Sequence, residues 1–128
     1  MKAFNETCPG IFFFGASTYC AYYGLRYIVG SENIRILSSI DAPISSDEYR
    51  VAIKCGYYDF HYIRQDEKGW YNKSGTLQGT YVPEEFVAAD VWYPVRGLPD
   101  GSYEIVNYLG IIYDDETMYV AIKKGWYY

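Results

Sequence analysis

The run Val51-Ala52-Ile53-Lys54-Cys55-Gly56-Tyr57-Tyr58-Asp59-Phe60-His61-Tyr62-Ile63-Arg64-Gln65-Asp66-Glu67-Lys68-Gly69-Trp70-Tyr71-Asn72-Lys73 decides the fold. Tyr49 to Lys54 is β-branched and aromatic enough for a strand, and Cys55-Gly56-Tyr57-Tyr58 turns the chain. From Asp59 to Gln65 the side chains alternate. His61, Ile63 and Gln65 share one face, and Phe60, Tyr62 and Arg64 the other. Asp66-Glu67-Lys68-Gly69 is a tight turn closed by glycine, and Trp70 to Lys73 follows as a third strand. Connections this short join antiparallel neighbours, so the run predicts a meander.

Upstream, Ser17 to Val29 reads as a helix. Ser17 or Thr18 caps it, and Ala16, Cys20, Tyr23 and Tyr27 fall on one face. Gly30-Ser31 ends it. Ser31 to Ile40 fits either a short helix or a strand. Downstream, Val82 to Asp90 reads as a short helix, with Pro83 and two glutamates in its first turn. Tyr103 to Asn107, Leu109 to Tyr113 and Met118 to Lys123 read as strands. Val51-Ala52-Ile53-Lys54 recurs as Val120-Ala121-Ile122-Lys123, which suits two equivalent strands of one sheet. The expected fold is α+β: one or two N-terminal helices on an antiparallel sheet of five or six strands, in a single domain over 1–128.

Composition bounds the function. Half of the residues are apolar and 21% are charged, which disfavours disorder for the chain as a whole. The net charge of −5 disfavours a protein that reads nucleic-acid phosphates, and also a polybasic membrane anchor. Ile11 to Ala16 is far too short to span a bilayer, and Met1 to Glu6 opens a poor signal peptide. A cytoplasmic location is expected, with Cys8, Cys20 and Cys55 as reduced thiols. Their spacings and the lone histidine do not suit zinc, and no cofactor is expected. Asp114, Asp115 and Glu116 read as a solvated turn rather than a metal site. Tyrosine is the outlier, at 17 residues among 26 aromatics. It serves either strands or a contact surface.

Three residues could carry chemistry. Cys20 falls in the first turn of the helix, where the N-terminus favours a thiolate. His61 lies near the start of the second strand, from which its ring would face a helix packed on the sheet. Asn72 lies on the neighbouring strand, where its amide oxygen would hold the imidazole N–H. Cys8, before Pro9-Gly10, is a rival nucleophile without a helix start beside it, and Cys55 reads as a strand-end residue.

At these residues the chain resembles the papain-like superfamily in its small NlpC/P60-type form. Asp59-Phe60-His61-Tyr62-Ile63-Arg64-Gln65-Asp66 and Gly69-Trp70-Tyr71-Asn72-Lys73-Ser74-Gly75 are similar to the D-Y-H-W-Y-R-Q-D and G-x-W-S-H-K-P-G runs of uncharacterised bacterial and phage proteins. Tyr19-Cys20-Ala21-Tyr22-Tyr23 resembles their N-C-Y-A-Y-A stretch. The resemblance implies a cysteine peptidase or amidase with Cys20 as nucleophile, His61 as base and Asn72 as orienter. Asn72 stands where that group has His, and Ser74 where it has Pro, which points to a degenerate site.

A second reading comes from size and charge. A compact, acidic, tyrosine-rich domain suits a non-catalytic protein that occupies a basic or aromatic surface on a protein or peptide partner. Phage-encoded inhibitors of host defence nucleases, of the anti-CRISPR type, share this size and sign. Tyrosine-rich edges would also suit a dimer.

Overall fold

The computed structural model describes residues 17–57, 59–74, 76–106, 110 and 112–125. Helix α1 spans Thr18–Val29. Ser17 caps it: its Oγ accepts from the Cys20 N–H at 3.2 Å. Gly30 closes it at φ 93°, a conformation that glycine adopts without penalty, and a 3₁₀ turn follows at Ser31–Asn33. The stripe Ala21, Tyr22, Leu25 and Val29 faces the sheet. The face read from the sequence is therefore rotated: Tyr27 is 69% exposed, and Tyr19 and Tyr23 join their hydroxyls on the outer side.

The strands are β1 (Ile34–Leu37), β2 (Glu48–Cys55), β3 (Phe60–Asp66), β4 (Gly69–Asn72), β5 (Thr80–Val82), β6 (Val95–Gly97), β7 (Tyr103–Ile105) and β8 (Met118–Lys123). Six of them form one sheet in the order β1-β8-β2-β3-β4-β5, and β6 and β7 form a separate pair. Every strand pair is antiparallel. The fold is α+β, with the meander β2–β3–β4 at its centre. The two similar tetrapeptides are neighbours, since Val51 stands directly opposite Val120. Ile34–Leu37 is a strand, paired to β8 along its length.

The sheet is covered on both sides. On one side α1 packs on Tyr49, Val51, Ile53, Val120 and Ile122. On the other, helix α2 (Glu84–Ala88), Trp92, Val95 and Tyr113 pack on Ala52, Ile63, Trp70 and Val82. Burial of each large apolar side chain contributes about 1.5–3 kcal/mol, so two filled layers account for a stable core. Pro83 is the N-cap of α2 rather than its first residue. Tyr113 forms a bridge with Trp92 instead of belonging to a strand, and residues 107–109 and 111 lie outside the described set. Among the described residues, no helix is long and apolar enough to cross a membrane.

Candidate functional site

Strand register decides which side chains meet. Ile53 pairs with Tyr62 and Lys54 with His61. Residues directly opposed in an antiparallel pair share a face, and faces alternate along each strand. Ile53 belongs to the α1 side, and the Tyr62 hydroxyl donates to the Ala21 carbonyl of α1 at 2.8 Å. Lys54 and His61 therefore point away from α1, into the second layer. There the His61 ring stacks on Trp92 with centroids 6.0 Å apart, and lies 6.0 Å from the Tyr113 ring.

Asn72 is fully buried on the same face. Its Nδ2 donates to the Val95 carbonyl at 3.3 Å, which turns its Oδ1 toward the ring of His61, and the two side chains are hydrogen-bonded. Oδ1 only accepts, so His61 Nε2 carries the proton and Nδ1 of the neutral ring keeps a lone pair. His61 retains slight solvent contact, but it is packed densely enough that burial pulls its pKa below the ordinary imidazole value. The Asn72 bond and the Asp59 charge pull the other way and are outweighed.

The structure joins His61 to Asn72 and does not join Cys20 to either. The expectation that His61 faces the helix is corrected: it faces the other layer, and the sheet stands between it and Cys20. The expectation of three reduced thiols is corrected as well, because Cys20 is disulfide-bonded. Cys8 lies outside the described residues. Cys55, which is not disulfide-bonded, is buried at the end of β2, and burial, followed by the nearby Asp115 charge, pushes its pKa up to about 12. It is a poor nucleophile.

Two features were not read from the sequence. Lys54 is fully buried and donates to the Ala89 carbonyl at 2.9 Å and to Thr117 Oγ1 at 2.7 Å. Burial lowers its pKa to about 8, and the Asp90 charge opposes that shift. Its signal was a lysine at an inward register in a strand apolar on both sides. The second is a pair of adjoining cavities at the loop before β8. One, of about 350 Å³, is lined by Ala88, Asp90, Asp114 and the 115–117 segment. The other, of about 540 Å³, shares that segment and adds Tyr19, Ile36 and Met118. Asp115 also caps α1, accepting from the backbone N–H and the hydroxyl of Thr18 at 3.0 Å each.

Comparison with protein-family models, with curated proteins and with solved structures returns no match for this chain.

Proposed function

We propose that the chain is a non-catalytic binding domain whose partner is a protein that presents basic side chains. The observation that carries this reading is the separation of Cys20 from His61 by the sheet. Thiolate attack requires its base within hydrogen-bond reach. A disulfide-bonded Cys20 and a Cys55 with a raised pKa supply no substitute. In this reading the papain-like resemblance reflects descent, with His61 and Asn72 kept as a packed polar pair.

The partner's chemistry follows from the cavities. Asp90, Asp114, Asp115 and Glu116 line them, and among the described residues neither lining includes Lys or Arg. Tyr19, Ile36 and Met118 give apolar and aromatic walls. An arginine side chain suits this lining, since its plane stacks on tyrosine while its donors meet carboxylates. A nuclease that holds nucleic acid in a basic groove presents such side chains, so such a nuclease belongs to the partner class this surface fits, with this chain as its inhibitor.

The test is a titration with an arginine-rich peptide at about 0.05 M and about 0.5 M salt, where screening differs strongly. Binding should weaken at least tenfold at the higher salt, and should be lost in Asp90→Asn/Asp114→Asn. Binding insensitive to both, or no binding at low salt, contradicts the proposal. A hydrolase reading retains one supporting observation, the lone pair that the Asn72 bond leaves on His61 Nδ1. It requires release of an activated ester's leaving group that disappears in His61→Gln.

A further inference from the structure

His61, the one histidine of the chain, stands directly opposite the fully buried Lys54 on the face that the second layer covers. Side chains so opposed have Cβ atoms about 5 Å apart. Together they tie that layer down. Lys54 reaches the Ala89 carbonyl after α2 and Thr117 before β8. His61 holds Asn72, which holds the Val95 carbonyl of β6, and its ring lies against Trp92 and Tyr113. Trp92 and Tyr113 exchange backbone hydrogen bonds of 2.8 and 2.9 Å, so they act as one unit.

We propose that Lys54 and His61 form an acid-released latch, in which protonation of His61 loosens the 89–97 and 113–117 segments from the sheet. One cation at this place is accommodated, because the Lys54 ammonium has two neutral acceptors. A second is not. A proton on His61 Nδ1 finds no acceptor among the described residues, and its charge would stand at the strand position opposite Lys54, on the same covered face.

The surrounding charges do not cancel this. Asp59, bound to the Tyr113 hydroxyl at 2.9 Å and to the Phe60 N–H, favours a charged imidazole, but burial of the ring outweighs it. Asp90 favours the lysine's charge rather than the imidazole's. Trp92 offers a ring face to the new cation, a contribution smaller than the loss of hydration. Burial already holds the folded imidazole below its ordinary value. The unfolded chain therefore takes up more protons as pH falls below about 6.5, and the equilibrium moves toward release.

Ala88, Asp90 and Thr117 line the smaller acidic cavity, so release also reshapes that cavity. The latch does not depend on what the cavity binds.

The test is an NMR titration of the single imidazole, with the Trp92 indole N–H and the Val95–Gly97 amides followed in parallel. The imidazole should titrate below about 6.5. Over the same interval the indole signal should shift or broaden, and exchange at the amides should rise at least tenfold. In Lys54→Met the midpoint should rise by about half a pH unit or more. A wild-type midpoint at or above about 6.5, an indole signal unmoved by the titration, or a midpoint unchanged in Lys54→Met overturns the latch. Should Lys54→Met not fold, His61→Gln decides: the latch requires the indole and amide changes to vanish, and their persistence overturns it.

Discussion

Cys20 and His61 lie on opposite sides of the central sheet, Cys20 on the helix packed against Val51 and Ile53, and His61 beside Trp92 and Tyr113. The arrangement follows from a one-residue step along β3. Tyr62 takes the helix side and bonds to Ala21, which sends His61 to the other side. A slip of β3 by one position would exchange them, and with them the face of every buried residue of β3.

Asn72→Ala removes the acceptor for His61 Nε2–H and the donor for the Val95 carbonyl, both inside the core. Each orphaned group costs about 1–3 kcal/mol, so we expect a loss of about 2–4 kcal/mol in chemical denaturation at neutral pH. A loss below about 0.5 kcal/mol would show that the pair contributes little.

Much of this fold is legible in the sequence, and the reason is local. The cap at Ser17, the stop at Gly30 and the turn at Gly69 each have a residue that only one backbone geometry favours. Alternation along Phe60–Asp66 correctly groups His61 with Ile63, and Tyr62 with Arg64. Alternation does not say which group meets the helix. Strand β2 is buried on both faces, so Val51 and Ile53 look no more inward than Ala52. That choice is made by packing between distant segments, and it is where the expectation that His61 faces the helix departs from the structure. Strands β5 and β6 were missed for a different reason: three residues each leave too short a pattern to see.

The reduced thiol of Cys55 should be nearly inert. Its pKa of about 12 compares with an ordinary value near 9, which lowers the thiolate fraction at pH 8 roughly a thousandfold. Alkylation by iodoacetamide, read by mass spectrometry, should be slow in the native protein and fast in denaturant. Equal rates would place Cys55 at the surface.

Glu48 receives the Arg35 guanidinium through two hydrogen bonds of 2.8 and 2.9 Å, and accepts from the Ser45 N–H. These hold its pKa at about 2, below the unfolded value near 4.5. Its stabilisation is therefore complete above about pH 4.5 and is lost as pH falls toward 2. Glu48→Gln should cost about 1 kcal/mol at neutral pH and less in acid. A cost that is the same at pH 2.5 and pH 7 would remove the ion pair as its cause.

Gly97 joins the small β6–β7 pair to the main sheet, donating from its N–H to the Gln78 carbonyl at 2.7 Å. A Cβ there would lie 2.3 Å from the Gly79 carbonyl oxygen, which is backbone and cannot turn aside. Gly97→Ala should destabilise by about 1–3 kcal/mol. A neutral Gly97→Ala would show that the two backbones are not in contact.

The sheet keeps the Cys20 thiol away from the imidazole, and titration of that imidazole by NMR under reducing conditions, in the wild type and in Cys20→Ser, measures this separation. The midpoint should lie below about 6.5 and be the same in both proteins. A midpoint above about 6.5 that falls when Cys20 is replaced would reveal a thiolate–imidazolium pair and contradict it.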